Sequence, residues 1–220
     1  MKQYKTFILA LFLLSIFCFS KANAATKDYT LLGKTIYIDP GHGGPDSGAI
    51  SKNFYEKDMN LLLGKKLGTF LKEKGAMVYY TRTGDYDLAT SKSNRKRNDL
   101  YGRVKLINQS SCDLYISMHL NASPSQKWNG IQIFYSNVLK ENKKVAEVIT
   151  NTMKENMKNV REYKKENGYY MYSKLKVPGV LVEAGFISNP NDNYKIRQEE
   201  YQDILIKNIA KGIEKYFNEN

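Results

Sequence analysis

The 220-residue chain has only two histidines, His42 and His119. Each directly follows a short run of β-branched and aromatic residues. Lys34 to Gly44 reads Lys-Thr-Ile-Tyr-Ile-Asp-Pro-Gly-His-Gly-Gly. Thr35 to Ile38 is a strand pattern that Asp39-Pro40-Gly41 stops, so His42 stands at a strand's carboxyl end. The flanking glycines let the backbone take positive φ or approach a neighbour closely. The plainer alternative is a strand-to-helix turn with a solvent-exposed histidine. His119 follows a second such run, Asp113 to Met118, and Glu56 follows the glycine-rich loop where a helical pattern begins. Two imidazoles and a carboxylate from three segments form the donor set of a catalytic zinc site, in which three protein ligands leave a fourth position for water. By position alone Glu56 equally suits the first turn of a helix, where the macrodipole favours an acid. Asp46 and Asp58 are rival ligands.

Zinc lowers the pKa of a bound water to about 7. Hydrolysis of an amide still needs a group to take that proton and pass it to the departing nitrogen. Glu183 is the candidate: it closes the apolar run Val180-Leu181-Val182, and a carboxylate at the mouth of a buried strand is costly unless it is paired or used. A structural salt bridge is the alternative. Cys112 reads as a small, semi-buried residue rather than a nucleophile, and no glycine-rich phosphate loop of the usual spacing is present.

The elements that must position these residues alternate. Lys57 to Lys74 places Met59, Leu62, Leu63, Leu67, Phe70 and Leu71 at helical spacing, and Gly75 ends it. Ala76 to Thr81 reads as a strand, which gives a parallel crossover unit. Thr83 to Asn94 reads as a loop and Asp99 to Gln109 as an amphipathic helix. Ile131 to Tyr135 is a strand, Lys140 to Met157 a long helix, Val160 to Gly168 a charged connection and Val180 to Glu183 a strand. Glu199 to Tyr216 is a terminal helix with Ile204, Ile206, Ile209, Ile213 and Phe217 available for packing. This order predicts an α/β fold, a single three-layer domain with a mostly parallel twisted sheet and helices on both faces. Ligands in such sheets gather at the carboxyl ends of the strands, where His42, His119 and Glu183 fall.

Lys2 and Lys5, an apolar run from Phe7 to Phe19, and Ala22-Asn23-Ala24 read as a secretory signal peptide over 1–24, with an uncleaved anchor as the alternative. Phe17 before Cys18 is too bulky for a lipoprotein box. Loss of Lys2, Lys5 and Lys21 takes the 34 basic residues to 31 against 22 acidic ones, net +9 for 25–220. An exported basic protein meets polyanionic walls and membrane surfaces, which disfavours nucleic acid as a partner. Only Cys112 survives maturation, so no internal disulfide forms.

Several stretches together resemble the zinc-dependent N-acetylmuramoyl-L-alanine amidases of type 3. They are Ile38 to Gly44, Glu56-Lys57, Thr81-Arg82, Leu100 with Arg103 and Asn108, Asp113 to Ala122, and Val180 to Pro190. The likeness spans Gly33 to Phe217. It implies one zinc ion per chain held by His42, Glu56 and His119, so that Glu56 is a ligand, and Glu183 as catalytic acid/base. Peptidoglycan, a glycan strand with stem peptide, is the implied substrate, and a protein partner is left open. Arg103 and Asn121 are the candidates for substrate contact, although Arg103 equally suits a helix-to-carboxylate tether. Leu120 stands where the family often has alanine. The short interval from His119 to Glu183 leaves little room for an inhibitory helix, which implies an open site. Short length and Lys127-Trp128-Asn129-Gly130 are most similar to the branch acting on spore cortex for germination, which places the protein in the cell wall or cortex space. The rivals are a zinc peptidase cutting within the stem peptide and a non-catalytic basic wall-binding module.

Overall fold

The computed structural model describes residues 29–219. The expected signal peptide lies outside them. Among the described residues no helix is long and apolar enough to cross a membrane.

Strands β1 (Thr35–Pro40), β4 (Met77–Tyr80), β5 (Leu114–Asn121), β6 (Gln132–Tyr135), β7 (Lys164–Lys165) and β8 (Gly179–Phe186) form one sheet in the order β4-β1-β5-β8-β6-β7. The β1, β4, β5 and β8 pairings are parallel, as expected, and β6 runs antiparallel to β8. Parallel neighbours need a crossover, usually a helix. No helix lies between β5 and β6. Two-residue strands β2 (Ile50–Ser51) and β3 (Phe54–Tyr55) pair as a separate hairpin.

The helices are α1 (Glu56–Glu73), α2 (Arg95–Gln109), α3 (Lys140–Asn156), α4 (Pro190–Ile196) and α5 (Glu199–Asn218). In α1, Met59, Leu63, Leu67 and Leu71 recur every four residues and are all buried. Gly75, at φ 93, follows its last turn as the left-handed stop. In α5 the buried stripe is Leu205, Ile209 and Ile213, and Ile204 is exposed because it falls off that stripe.

The two sheet faces are unequal. Ile36, Ile38, Leu114, Ile116, Val180 and Val182 join the large core with side chains of α1, α3 and α5. The alternate residues Tyr37, Tyr115 and Leu181 join a smaller cluster with Val104 and Ile107 of α2 and with Met171, Tyr172 and Leu175. Helices do cover both faces, but the second is shared between one helix and the irregular segment 169–175. That asymmetry leaves the second face open toward the strand ends.

Candidate active site

Side chains two apart along a strand share a face. Counting from Tyr37 and Tyr115 puts Asp39, Ser117, His119 and Asn121 on the lightly covered face. His119 and Glu183 are paired positions on β5 and β8, as are Asp39 and Ser117 on β1 and β5. Glu183 thus joins this face beside His119. They line one cavity of about 370 Å³ together with His42, Glu56, Asn121 and Arg103.

The three expected ligands converge. Glu56 Oε1 lies 3.2 Å from His42 Nε2 and 3.0 Å from His119 Nδ1, and one donor atom from each residue lies within 4.8 Å of the others. A tetrahedral ion with bonds of 2.0–2.1 Å separates its ligand atoms by about 3.3 Å, so Glu56 Oε1 stands close to that spacing from both imidazoles, and the donor set fits zinc in type. Glu56 opens α1 and is buried; its Oε2 accepts from the Ala49 N–H (2.8 Å) and its Oε1 from the Leu120 N–H (3.1 Å). Asp46, a rival ligand, instead sits 2.9 Å from His42 Nδ1. A carboxylate there fixes the ring and leaves Nε2 to face the group. Asp58 is exposed and outside the group.

Electrostatics follow the geometry. Burial raises the Glu56 carboxyl, but hydrogen bonds from His119 and His42 hold it far below the carboxylate range. Burial lowers His42, and the Asp46 and Glu56 carboxylates reverse this and lift it to about 9. A divalent cation would replace protons as the partner of these donors.

Glu183 differs from every other carboxylate in the cavity. It is 7% exposed, and its Oε2 has no hydrogen-bond partner among the described residues. Burial, then the Glu56 charge, pushes it up to about 8. No cation pairs with it within salt-bridge distance among the described residues, so the salt-bridge alternative has no partner there.

Two glycines make room for the side chains of His119 and Glu56. A Cβ on Gly41 would stand 2.2 Å from His119 Cε1, and one on Gly48, at φ +64, would stand 2.6 Å from Glu56 Oε2.

Arg103 is 2% exposed and spends four of its five N–H donors on the protein, on Asp99, Asp39 and the carbonyls of Pro40 and His42. The tether anticipated as its alternative role is therefore built. Asn121 faces the cavity from the last position of β5. Several cavity residues escaped the sequence reading. Lys96 lies on the α2 turn that the apolar pattern missed. Tyr169, Tyr170 and Tyr172 wall the cavity from segment 169–175, and their signal was an aromatic cluster, Tyr-Tyr-Met-Tyr, with no strand or helix period.

Comparison with known proteins places the chain as a whole. The family model described as N-acetylmuramoyl-L-alanine amidase matches residues 36–215. A germination-specific N-acetylmuramoyl-L-alanine amidase of Bacillus subtilis (strain 168) is 45% identical over 220 residues, covering 97% of this chain and 92% of that protein. The CwlD amidase from Clostridioides difficile, solved in complex with the GerS lipoprotein, superposes with a TM-score of 0.81 at 33% identity, over 85% of this chain and 100% of that one. An N-acetylmuramoyl-L-alanine amidase from Clostridium difficile 630 superposes with a TM-score of 0.75 at 36% identity, over 84% and 97% of the two chains.

Proposed function

The chain belongs to the N-acetylmuramoyl-L-alanine amidase family, and we propose that it cleaves peptidoglycan with one zinc ion held by His42, Glu56 and His119 and with Glu183 as acid/base. It is a hydrolase of the amide between N-acetylmuramic acid and L-alanine. One observation carries the mechanism: Glu183, whose buried Oε2 has no hydrogen-bond partner among the described residues, lines the same cavity as the His42–Glu56–His119 donor set.

Zinc, when bound, supplies a positive charge that polarises the amide carbonyl and acidifies water. Asp46 keeps the His42 ring oriented through Nδ1, and the Ala49 and Leu120 N–H groups hold the Glu56 carboxylate in place. Glu183 takes a proton from the attacking water as the C–O bond forms. It returns that proton to the nitrogen as the C–N bond breaks, leaving a lactyl carboxylate on the glycan and a free L-alanine amino group on the peptide. A nearby divalent cation favours the ionised form of Glu183, which the base role requires. Asn121 contacts the substrate from the β5 end, and Arg103 has one N–H left to join it.

Likeness to the germination-specific Bacillus subtilis protein supports a role in spore cortex, and the Lys2–Ala24 pattern supports export to the wall or cortex space. The Clostridioides difficile relative solved with the GerS lipoprotein supports a protein partner.

The metal assignment is tested by elemental analysis beside activity. The active protein is expected to carry about one zinc per chain, to lose activity to a chelator and to regain it with zinc. His42→Ala and His119→Ala are each expected to lose metal and activity together. Active protein without metal would contradict the assignment.

A further inference from the structure

Two buried guanidinium groups grip the backbone that carries His42. Arg82, 1% exposed, donates from Nε to the Pro40 carbonyl (2.9 Å), from Nη1 to that of Gly84 (3.0 Å), and from Nη2 to those of Gly41 (2.9 Å) and Lys57 (2.7 Å). Arg103 donates from Nη1 to the Pro40 carbonyl (2.8 Å) and from Nη2 to that of His42 (2.6 Å). Three consecutive carbonyls, 40 to 42, are thus held by two side chains from other elements. His42 itself has φ 61, a left-handed conformation that a non-glycine residue adopts at a cost.

The grip reaches the other two ligand segments. Lys57 directly follows Glu56, so Arg82 ties the His42 loop to the first turn of α1. Asp39, bonded to Arg103 Nη1 (2.7 Å), also accepts from Ser117 Oγ (2.7 Å), two residues before His119. Burying two guanidinium ions is costly unless their donors are satisfied. A chain that needed only to close a loop could have used apolar contacts. A planar fork donating to several carbonyls at once fixes direction as well as distance.

We propose that Arg82 and Arg103 are positioning residues that hold His42, Glu56 and His119 in their converged arrangement before the metal arrives, so that metal affinity depends on them. This deepens the metal reading above and rests on it.

The test measures zinc affinity by chelator competition in Arg82→Lys and Arg103→Lys, which keep the charge and lose the fork, with the melting temperature of the metal-free protein recorded alongside. Met153→Ala is the control. Met153 is fully buried on α3, in the core on the opposite sheet face, and its truncation lowers stability without touching the loop. Both lysine variants are expected to bind zinc about 10- to 100-fold more weakly, and the absorption of their cobalt-substituted forms is expected to shift. Met153→Ala is expected to melt lower with parental affinity. Parental affinity in both lysine variants, or an equal loss in Met153→Ala, would overturn the proposal.

Should the arginine variants fail to fold, hydrogen exchange on the parent protein decides. The Gly41 N–H bonded to the Met118 carbonyl (3.0 Å) and the Gly43 N–H bonded to the Asp46 carbonyl (2.9 Å) are expected to be as protected without zinc as with it. Protection that appears only on adding zinc would overturn the proposal. A parent protein that binds no zinc would instead remove the metal reading itself.

Discussion

At the scale of single residues, Glu183 separates chemistry from structure because its proposed catalytic use and its burial pull in opposite directions. Burial and the Glu56 charge raise its pKa from 4.5 to about 8, so the metal-free folded state holds this proton more tightly than the unfolded chain does. The stability linked to that proton is full below about pH 4.5 and is lost as pH rises through about 8. Glu183→Gln removes the ionisable group and so removes the loss. The metal-free variant is expected to melt close to the parent at pH 4 and above it at pH 9, by an amount on the order of a few kcal/mol in stability. The same variant is expected to keep its zinc and lose hydrolysis by about 10²- to 10⁴-fold. Melting curves at the two pH values, zinc content and rate on one protein check all of this. A parent and variant that melt alike at both pH values would mean that the carboxyl is not strained by burial, and a variant that hydrolyses at the parent rate would remove its catalytic role. Glu183 and both histidines were legible because polar residues ending apolar runs stand out. Asp46 was legible only as an acid near the site, since nothing in sequence separates a metal ligand from the carboxylate that orients one. Arg82 appeared only within a motif, because the value of its side chain lies in carbonyls 40, 41 and 57, which distant parts of the chain bring to it.

At the scale of elements, the loop from Gly41 to Gly48 carries His42 and packs against His119 and Glu56, and Gly41 and Gly48 are set by that close packing. A Cβ on Gly48 meets both Glu56 Oε2 at 2.6 Å and His42 Cδ2 at 2.7 Å, on a backbone at φ +64 that disfavours any side chain. Gly48→Ala is therefore expected to weaken zinc binding by at least about 10-fold, the scale of losses on disturbing groups around a metal, while the large core of α1, α3 and α5 keeps the protein folded. Zinc titration beside a melting curve checks this; parental affinity would mean that the loop relaxes freely. Strands β1, β5 and β8 and helices α1 and α3 follow from apolar period alone. Helix α2 begins at Arg95 rather than at Asp99 because Arg95-Lys96-Arg97-Asn98 offers no apolar residue to reveal it; Arg95 instead makes a two-point ion pair with Asp87. The stretch read as a charged connection holds β7, whose two lysines pair with Phe134 and Tyr135 at the sheet edge. Such a strand has no hydrophobic signature. Helix α4 has no apolar period either, but it carries a start signal that the apolar pattern passes over: Asn189 caps it by accepting from the Asn191 and Asp192 N–H groups, with Pro190 at its first position.

At the scale of the whole molecule, the sheet divides the work. One face carries the large core and needs no chemistry, while the other carries Asp39, Ser117, His119, Asn121 and Glu183 under a thinner cover. The three-layer architecture was legible from the alternation of elements, but the inequality of its layers was not, because segment 169–175 covers the second face without regular structure. The basic balance, +12 for the chain, suits a polyanionic wall without specifying the bond that is cut. Mass spectrometry of peptidoglycan fragments after incubation with the zinc-loaded protein specifies it. Cleavage between the muramic acid lactyl group and L-alanine predicts intact stem peptides with new L-alanine amino termini, beside glycan stripped of peptide. Fragments cut within the stem peptide, with L-alanine still joined to muramic acid, would contradict the account.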